Sequence, residues 1–211
     1  MADYIYPGPG APDKEVVLKI RNVATGTRYV GEDFEIPSLQ DVTVNAANDV
    51  FTWTQLDAAA KKQIATTATN SLGMNLVVNQ DTFFGKFTTV ADDAGRATWL
   101  ASAEIGDVAF QTDTSKWYVC EVANTTEQEV SAKPALAHGI LGLSTNKVRV
   151  EFDLYFGDTS SATEGKFIQS KGYITGLAPT VSADAPVWVT PITITVDEDY
   201  TVTDATAFPT S

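Results

Sequence analysis

The sequence predicts a mainly β protein, an antiparallel β-sandwich or barrel with one flanking α-helix and extended arms or loops. Three observations carry this prediction. Thr occurs 28 times in the 211 residues, and β-branched side chains favour strands. Residues 147–156 alternate, with apolar residues at even positions and charged residues at odd positions up to 153. Residues 187–196 alternate again, so both segments read as strands with one buried and one solvated face.

The first fifteen residues predict an extended arm that precedes a single β-sandwich domain over 16–211. Pro7-Gly8-Pro9-Gly10 and Pro12 prevent regular structure there. Tyr4, Ile5 and Tyr6 are apolar and would dock on a neighbour, although a frayed terminus is an equal alternative. Residues 16–20 then read as a strand. Residues 27–30 and 34–36 read as its extension or as a short hairpin around 31–33, and 42–44 as a short strand.

One helix is predicted over 55–68. Thr54 and Asp57 have the spacing of a capping box. Leu56, Ala60, Ile64 and Ala68 recur every four residues and form one apolar stripe. Gly73 follows this pattern, and residues 74–79 read as a strand.

Residues 91–135 predict an inserted hairpin or loop module. A turn at 92–95 and an Ala-rich stretch that can hold a short helix come first. A hairpin follows, with strands 108–112 and 117–122. The polar residues 124–133 predict a loop.

The last third of the chain predicts three more strands after 147–156, namely 167–174, 187–196 and 200–203. Pro191 removes a backbone donor from the second of these. It therefore requires an edge position or a bulge.

The net charge of −13 and the counts of one Cys and one His exclude several classes of protein. A pI near 4.3 does not fit phosphate neutralisation by Lys and Arg. An internal disulfide needs two Cys, and a soft-ligand metal site needs more His and Cys. The sequence shows no apolar run long enough for a transmembrane helix and no Sec-type leader at its start. Phosphate-binding loops and a nucleophile elbow are absent too. We therefore predict no cofactor and no metal.

The remaining candidates for chemistry favour structural roles. His138 reads as an exposed or locally bonded loop residue, and Cys120 as a buried, inert thiol. Asp197-Glu198-Asp199 and Asp158 are hard-cation candidates that read better as solvated turns. The four Trp side chains, which are Trp53, Trp99, Trp117 and Trp188, favour core or interface packing over a sugar-binding face.

The order of segments in the last third resembles the major tail tube proteins of long-tailed, siphovirus-like bacteriophages. These segments are the alternating strand 147–156, the strand ending Lys171-Gly172-Tyr173-Ile174-Thr175-Gly176, the small-residue loop 177–185 and the strand 186–196. The helix after the first strands also fits that family. Gly106-Asp107-Val108-Ala109-Phe110 with Asp113 to Val119 is similar to a hairpin pattern of phage tail and fibre proteins. The resemblance covers about 16–90 and 140–204, whereas 91–135 departs from the simplest family pattern.

The resemblance implies a structural virion protein rather than an enzyme. The inner sheets of several copies would join into a ring-shaped barrel, and sixfold rings would stack into a hollow tube that delivers genomic DNA. Implied partners are other copies of the chain and tape measure, tail terminator and tail tip proteins, and double-stranded DNA would pass without specific binding. The implied location is the virion tail, assembled in the host cytoplasm.

Two sets of residues are candidates for roles in such a tube. Glu151 and Asp153, on the polar positions of the strand 147–156, are candidate lumen-facing acids that would repel phosphates, with ordinary solvated residues as the alternative. Tyr4, Ile5 and Tyr6 are candidate inter-ring arm contacts. Other virion proteins, such as a capsid decoration or fibre-associated protein, and a carbohydrate-binding β-sandwich module or hydrolase are the alternative functions.

Overall fold

A computed structural model describes residues 16–26, 31–36, 39–46, 49–53, 62–66, 69–158, 161–182 and 185–205. The predicted arm over 1–15, including Tyr4, Ile5 and Tyr6, lies outside these residues. Within them are fifteen strands, three α-helices and one 3₁₀ turn (Val23–Thr25).

The strands are β1 (Val16–Asn22), β2 (Phe34–Glu35), β3 (Leu39–Asn45), β4 (Asp49–Trp53), β5 (Lys62–Thr66), β6 (Ser71–Val77), β7 (Thr88–Val90), β8 (Val108–Gln111), β9 (Lys116–Val122), β10 (Thr126–Val130), β11 (Arg149–Asp158), β12 (Ser161–Leu177), β13 (Thr180–Ser182), β14 (Ala185–Val196) and β15 (Thr201–Asp204). The helices are α1 (Gln80–Phe84), α2 (Asp93–Leu100) and α3 (Ala135–Thr145). No helix of the described residues is long and apolar enough to cross a bilayer.

Nine strands form one antiparallel sheet in the order β2-β1-β11-β12-β14-β6-β3, with β13 beside β14 and β15 beside β12. The prediction of a mainly β, antiparallel fold is therefore confirmed. Among the described residues this sheet does not close on itself, because its path ends at β2 on one side and β3 on the other. The formation of a ring-shaped barrel by several copies stays a prediction.

The predicted helix over 55–68 is wrong, because residues 62–66 form β5 and pair with β4. The pairing sets Phe51 opposite Ile64 and Val50 opposite Ala65. The partner strand Asp49–Trp53 is rich in β-branched and aromatic residues, and this long-range pairing overrides the four-residue apolar spacing. Residues 54–61 and 67–68 lie outside the described parts of the chain.

A helix does flank the large sheet, but it is α3. Ile140 and Leu143 of α3 are fully buried against the apolar face of β11, where Phe152 and Leu154 are 0–1 % exposed. The helix is kinked at Gly139, whose φ is +63°. Burying each of these large side chains contributes about 1.5–3 kcal/mol, so α3 stabilises the sheet by covering part of its apolar face.

The opposite face of the large sheet carries a smaller cluster around Tyr155, which is fully buried with Val17 and Ala205. The ring of Tyr155 also packs on Phe167, with 5.2 Å between the ring centroids. The described β11 is therefore covered over part of both faces, which the alternating sequence pattern did not predict.

A second sheet has the order β10-β9-β8-β7, and its β7–β8 pair is parallel. Trp99 of α2 packs on this sheet with Tyr118 and Cys120. The predicted hairpin is confirmed as β8 and β9, and the predicted short helix as α2. The predicted loop over 124–133 is wrong in part, because residues 126–130 form β10 and pair with β9.

The two sheets are connected through α3 and through contacts of β1 and the segment that follows it. Ala137 of α3 is buried against Val108, Val119 and Val130 of the second sheet. Gly31 (φ +83°) lies so close to β9 that a Cβ there would sit 2.5 Å from the carbonyl oxygen of Cys120. Whether 91–135 is a separate inserted module stays a prediction.

Candidate assembly surface

The open side of the large sheet is β3, a seven-residue strand at the end of the sheet path. It pairs with β6 on one side, from Leu39 opposite Leu76 to Asn45 opposite Ser71. Among the described residues no strand pairs with its other side. Val42 and Val44 pack against the core, whereas Thr43 is exposed. Within the described residues, this side of β3 therefore presents backbone donors and acceptors that no strand occupies.

The other end of the sheet path is formed by β1 and the two-residue β2. Only Lys19 and Ile20 of β1 have register partners in β2. The amide of Ile36 adds one hydrogen bond to the carbonyl of Leu18, at 2.8 Å. This end is therefore only partly covered by the described chain.

The strands β12 to β15 form one long two-stranded ribbon. Leu177 of β12 pairs with Ile192 of β14, and three residues further along Thr180 of β13 pairs with Val189. At the other end Lys166 of β12 pairs with Asp204 of β15. Hence β13 continues β12, and β15 continues β14 after the bend at 197–198.

The tip of this ribbon, which comprises the described residues 180–182 and 185–188, extends past β6, whose last register pair with β14 is Val77 with Val189. Its side chains Val181, Val187 and Trp188 are 54 %, 45 % and 53 % exposed. Sequence reasoning assigned Trp188 to core or interface packing, and its exposure favours the second role. In the sequence, the only signal of this projecting tip was that the alternating run continues on the amino-terminal side of Pro191.

Both predicted lumen acids are engaged in contacts within the sheet. Glu151 accepts a hydrogen bond from Arg21 at 2.7 Å, and the Glu151 side chain is 19 % exposed. Asp153 is 7 % exposed and accepts from the Nε2 of Gln169 at 2.8 Å. The expectation that Asp153 lies on a solvated face is wrong in the described chain. Whether either acid faces a lumen stays a prediction.

The acidic turn 197–199 is exposed, as predicted, and two of its carboxylates accept hydrogen bonds from a basic side chain. Arg149 donates to Asp197 at 2.8 Å and to Glu198 at 2.6 Å. The hydrogen bond from Arg149 lowers the pKa of Glu198, and Lys171 adds to this effect. The side chain of Asp158 lies outside the description. No group of three His, Cys, Asp or Glu side chains in the described residues could hold a metal ion.

Most described cations lie beside carboxylates. The ion pairs among the described side chains include Arg21–Glu151, Lys86–Asp81, Lys86–Asp107, Arg96–Asp93, Arg96–Glu127, Lys116–Glu129, Arg149–Asp197, Arg149–Glu198, Lys166–Asp204 and Lys171–Glu198. Exposed pairs contribute little to stability. They do neutralise the few positive charges, so a chain of net charge −13 presents a mainly negative surface.

The surroundings of His138 and Cys120 favour structural roles for both side chains. His138 lies on α3 rather than on the predicted loop, and burial lowers its pKa, with a further contribution from Lys133. Cys120 is fully buried in the second sheet, as predicted, and burial raises the pKa of its thiol. A thiol that stays protonated is a poor nucleophile.

The described Trp side chains do not form a common face. Trp99 of α2 is buried against the second sheet, and Trp188 is exposed at the ribbon tip. Trp117 packs on Phe110 and Phe87, with centroid distances of 4.6 and 5.2 Å. The side chain of Trp53 lies outside the description.

No protein-family model and no curated protein matches this chain. Solved structures with a similar chain path include the sheath–tube terminator of an extracellular contractile injection system (PVC) in the extended state, with 13 % identity, a TM-score of 0.41, and coverage of 91 % of this chain and 95 % of that one. The sheath–tube complex of the same kind of system has 12 % identity, a TM-score of 0.41, and coverage of 92 % and 91 %. The tube-terminating cap of the anti-feeding prophage has 12 % identity, a TM-score of 0.40, and coverage of 97 % of each chain. These similarities are too low to assign a function to this chain.

Proposed function

We propose that this chain is a structural, non-catalytic subunit of a phage-tail-like tube. Copies join through the edges of the nine-stranded sheet into rings, which we expect to be hexameric, and the rings stack into a hollow tube for double-stranded DNA. The observation that carries the proposal is the open edge strand β3 at one end of an antiparallel sheet and the partly covered β1 at the other.

An exposed strand edge is normally protected by Lys, by Pro or by a covering segment, because its free backbone groups pair with other chains. The sequence of β3, Leu39-Gln40-Asp41-Val42-Thr43-Val44-Asn45, contains neither Lys nor Pro. Pairing of β3 with the β1 end of a neighbour is a heterologous contact, and a ring results if the rotation closes. Closure removes both edges, which is why a ring is favoured over an irregular aggregate.

The charge of the chain supports a conduit that does not bind DNA. The described cations are largely neutralised by nearby carboxylates, and 27 acidic residues stand against 14 basic ones. A negative wall repels phosphates and offers no counterion release. Passage without specific contacts follows from this arrangement.

Electron microscopy of the purified, concentrated protein tests the proposal. We expect rings and hollow filaments for the natural sequence. The variant Gln40→Lys with Thr43→Lys places two cations on the β3 edge and should abolish ring formation. The matched control Thr88→Lys with Thr89→Lys adds the same charge to exposed residues of β7 in the second sheet, and it should still form rings.

Three results would overturn the proposal. The first is a natural protein that stays monomeric or trimeric at every concentration, as a decoration or fibre-associated protein would. The second is equal loss of rings in both lysine variants, which would implicate net charge rather than the edge. The third is the formation of rings that never stack, which would contradict tube formation and leave only a ring-forming protein.

A further inference from the structure

An uncovered apolar pair marks the tip of the ribbon. In β14 the core-facing positions alternate, and Thr190, Ile192 and Ile194 are 0–1 % exposed. Trp188 is two residues before Thr190 and so continues this alternation. The carbonyl of Trp188 accepts a hydrogen bond from the amide of Val78 at 2.8 Å, so the strand is still regular at this point. Trp188 therefore lies on the core-facing side of the sheet. Its 53 % exposure shows that the core ends before it.

Val181 is the direct cross-strand partner of Trp188. Because directly opposed residues share a face of the sheet, Val181 extends the same uncovered apolar surface, with 54 % of its side chain exposed. An exposed aromatic–aliphatic pair in line with a buried core is a typical site for burying a second apolar group.

The amino-terminal segment enters the sheet at the end opposite to this tip. Val16 begins β1 and pairs with Phe156, which in turn pairs with Lys166 near the start of the ribbon. β1 runs from this end toward the tip, because both β1 and β12 are antiparallel to β11. At Val16 the chain, traced backwards toward its amino terminus, therefore leads away from the tip.

The distances exclude the chain's own tip as a binding site for the residues that precede Val16. From Lys166 to Val181 the ribbon rises about 3.3 Å per residue, or about 50 Å in all. The chain from Val16 back to Tyr4 spans at most about 43 Å when fully extended, and it would first have to reverse its direction. When a second copy is stacked head to tail on the first, its ribbon tip lies on the side of the first copy where the residues preceding Val16 leave the sheet.

We propose that Val181 and Trp188 form a docking surface for Tyr4, Ile5 and Tyr6 of a second copy of this chain stacked head to tail. This inference rests on the stacking in the proposed function and names the contact that performs it. A contact between two different surfaces of identical chains continues from copy to copy. One apolar anchor in each copy would then join successive rings.

Disulfide trapping between two full-length chains tests the contact. One chain carries Ile5→Cys, and the other carries Val181→Cys and a size tag. The native Cys120 is fully buried. After mixing and mild oxidation, the mixed disulfide should exceed that of a control pair by about tenfold, because docking raises the local thiol concentration. The control partner is Val202→Cys, which is 62 % exposed at the opposite end of the same ribbon.

Trp188→Ala in the Val181→Cys chain should lower the yield of mixed disulfide toward that of the control. Equal yields with Val181→Cys and Val202→Cys would overturn the inference, as would an unchanged yield after Trp188→Ala. An internal disulfide in a chain carrying both Ile5→Cys and Val181→Cys at high dilution would overturn it too.

Electron microscopy of the same samples separates this inference from the proposed function. Stacked rings without the Val181 cross-link would overturn the docking surface and leave the tube intact. Cross-linked head-to-tail pairs without rings would support the docking surface and contradict the ring.

Discussion

Arg21 and Glu151 are direct cross-strand partners on β1 and β11, with 2.7 Å between the Nη2 of Arg21 and the Oε2 of Glu151. The two side chains are only 10 % and 19 % exposed, so the pair is largely withdrawn from water. Arg21 also donates from Nη1 to the carbonyl of Gly26 at 3.1 Å. The pair therefore joins the large sheet to the turn after β1.

Arg21→Met should destabilise the protein by about 2–3 kcal/mol, because it removes the guanidinium from beside a carboxylate in a poorly solvated site. The double variant Arg21→Met with Glu151→Met should recover a large part of this loss. Urea unfolding of the natural protein, both single variants and the double variant measures the coupling. Additive effects of the two substitutions would contradict a direct interaction.

This geometry also decides how the predicted lumen role of Glu151 can be tested. A lysine at 151 would confront Arg21 and impair folding before DNA passage could be measured. The neutral variant Glu151→Gln with Asp153→Asn keeps side-chain shape and polar contacts. We expect it to assemble and, if these acids line the lumen, to slow DNA passage in an ejection assay. An unchanged rate would contradict the lumen role of these two acids.

Gly139→Ala should destabilise the protein by about 2–4 kcal/mol, from the sum of backbone strain and overpacking. The residue has φ +63°, and a Cβ there would lie 2.3 Å from the amide nitrogen of Gly85. Gly142→Ala is the matched control in α3, because its Cβ would meet only ordinary contacts, the nearest at 3.4 Å. It should be neutral or stabilising by up to about 1 kcal/mol. Thermal unfolding of both variants distinguishes them, and equal shifts would contradict the close contact.

The strands with strong alternation were predictable, and the helices α1 and α3 were not. The even-numbered residues Val150, Phe152 and Leu154 of β11 and Ile192 and Ile194 of β14 are buried in one core, so a period of two is visible in the sequence of both strands. The segment Ala135–Thr145 contains two glycines and begins after Pro134 without a side-chain cap. Its helix forms because Ile140 and Leu143 are buried between elements distant in sequence, which no local pattern reports.

The errors at β5 and β10 have the same cause. Ile64 has helical spacing with Ala60 and Ala68, yet residues 62–66 pair with β4. Residues 126–130 are polar, yet Glu129 of β10 pairs with Lys116 of β9 at 2.8 Å and Val130 is buried. The assembly surface was predictable only in part, because an exposed Trp188 has the same sequence signature as a buried one.

Gly165→Ala should destabilise the protein, and removal of the Tyr155 ring should abolish that effect. A Cβ on Gly165 would lie 2.4 Å from the Tyr155 ring, and one on Gly157 would lie 2.0 Å from its hydroxyl oxygen. We expect Gly165→Ala to cost about 1–3 kcal/mol by overpacking and Tyr155→Ala to cost about 3–5 kcal/mol by leaving a cavity. In the double variant the Gly165 contribution should vanish. A double-mutant cycle by urea unfolding checks this, and additivity would contradict a shared cavity.

His138 should make the stability of the protein depend on pH below about 6.5. Burial lowers its pKa in the folded chain, and Lys133 acts in the same direction, whereas the unfolded chain keeps a pKa near 6.5. In the window between these values the unfolded state binds more protons. Stability is therefore highest above about pH 6.5 and is lost as the pH falls toward the folded pKa, by less than about 1.4 kcal/mol per pH unit.

The measurement is urea unfolding of the natural protein and of His138→Gln at several values between about pH 7 and about pH 5.5. The natural protein should lose more stability across this range than the variant, in which the titrating imidazole is absent. Because the chain has a single His, its Hε1 proton gives one resonance whose titration reports the folded pKa directly. A folded pKa at or above 6.5, or parallel stability profiles of the two proteins, would contradict the burial of this imidazole on α3.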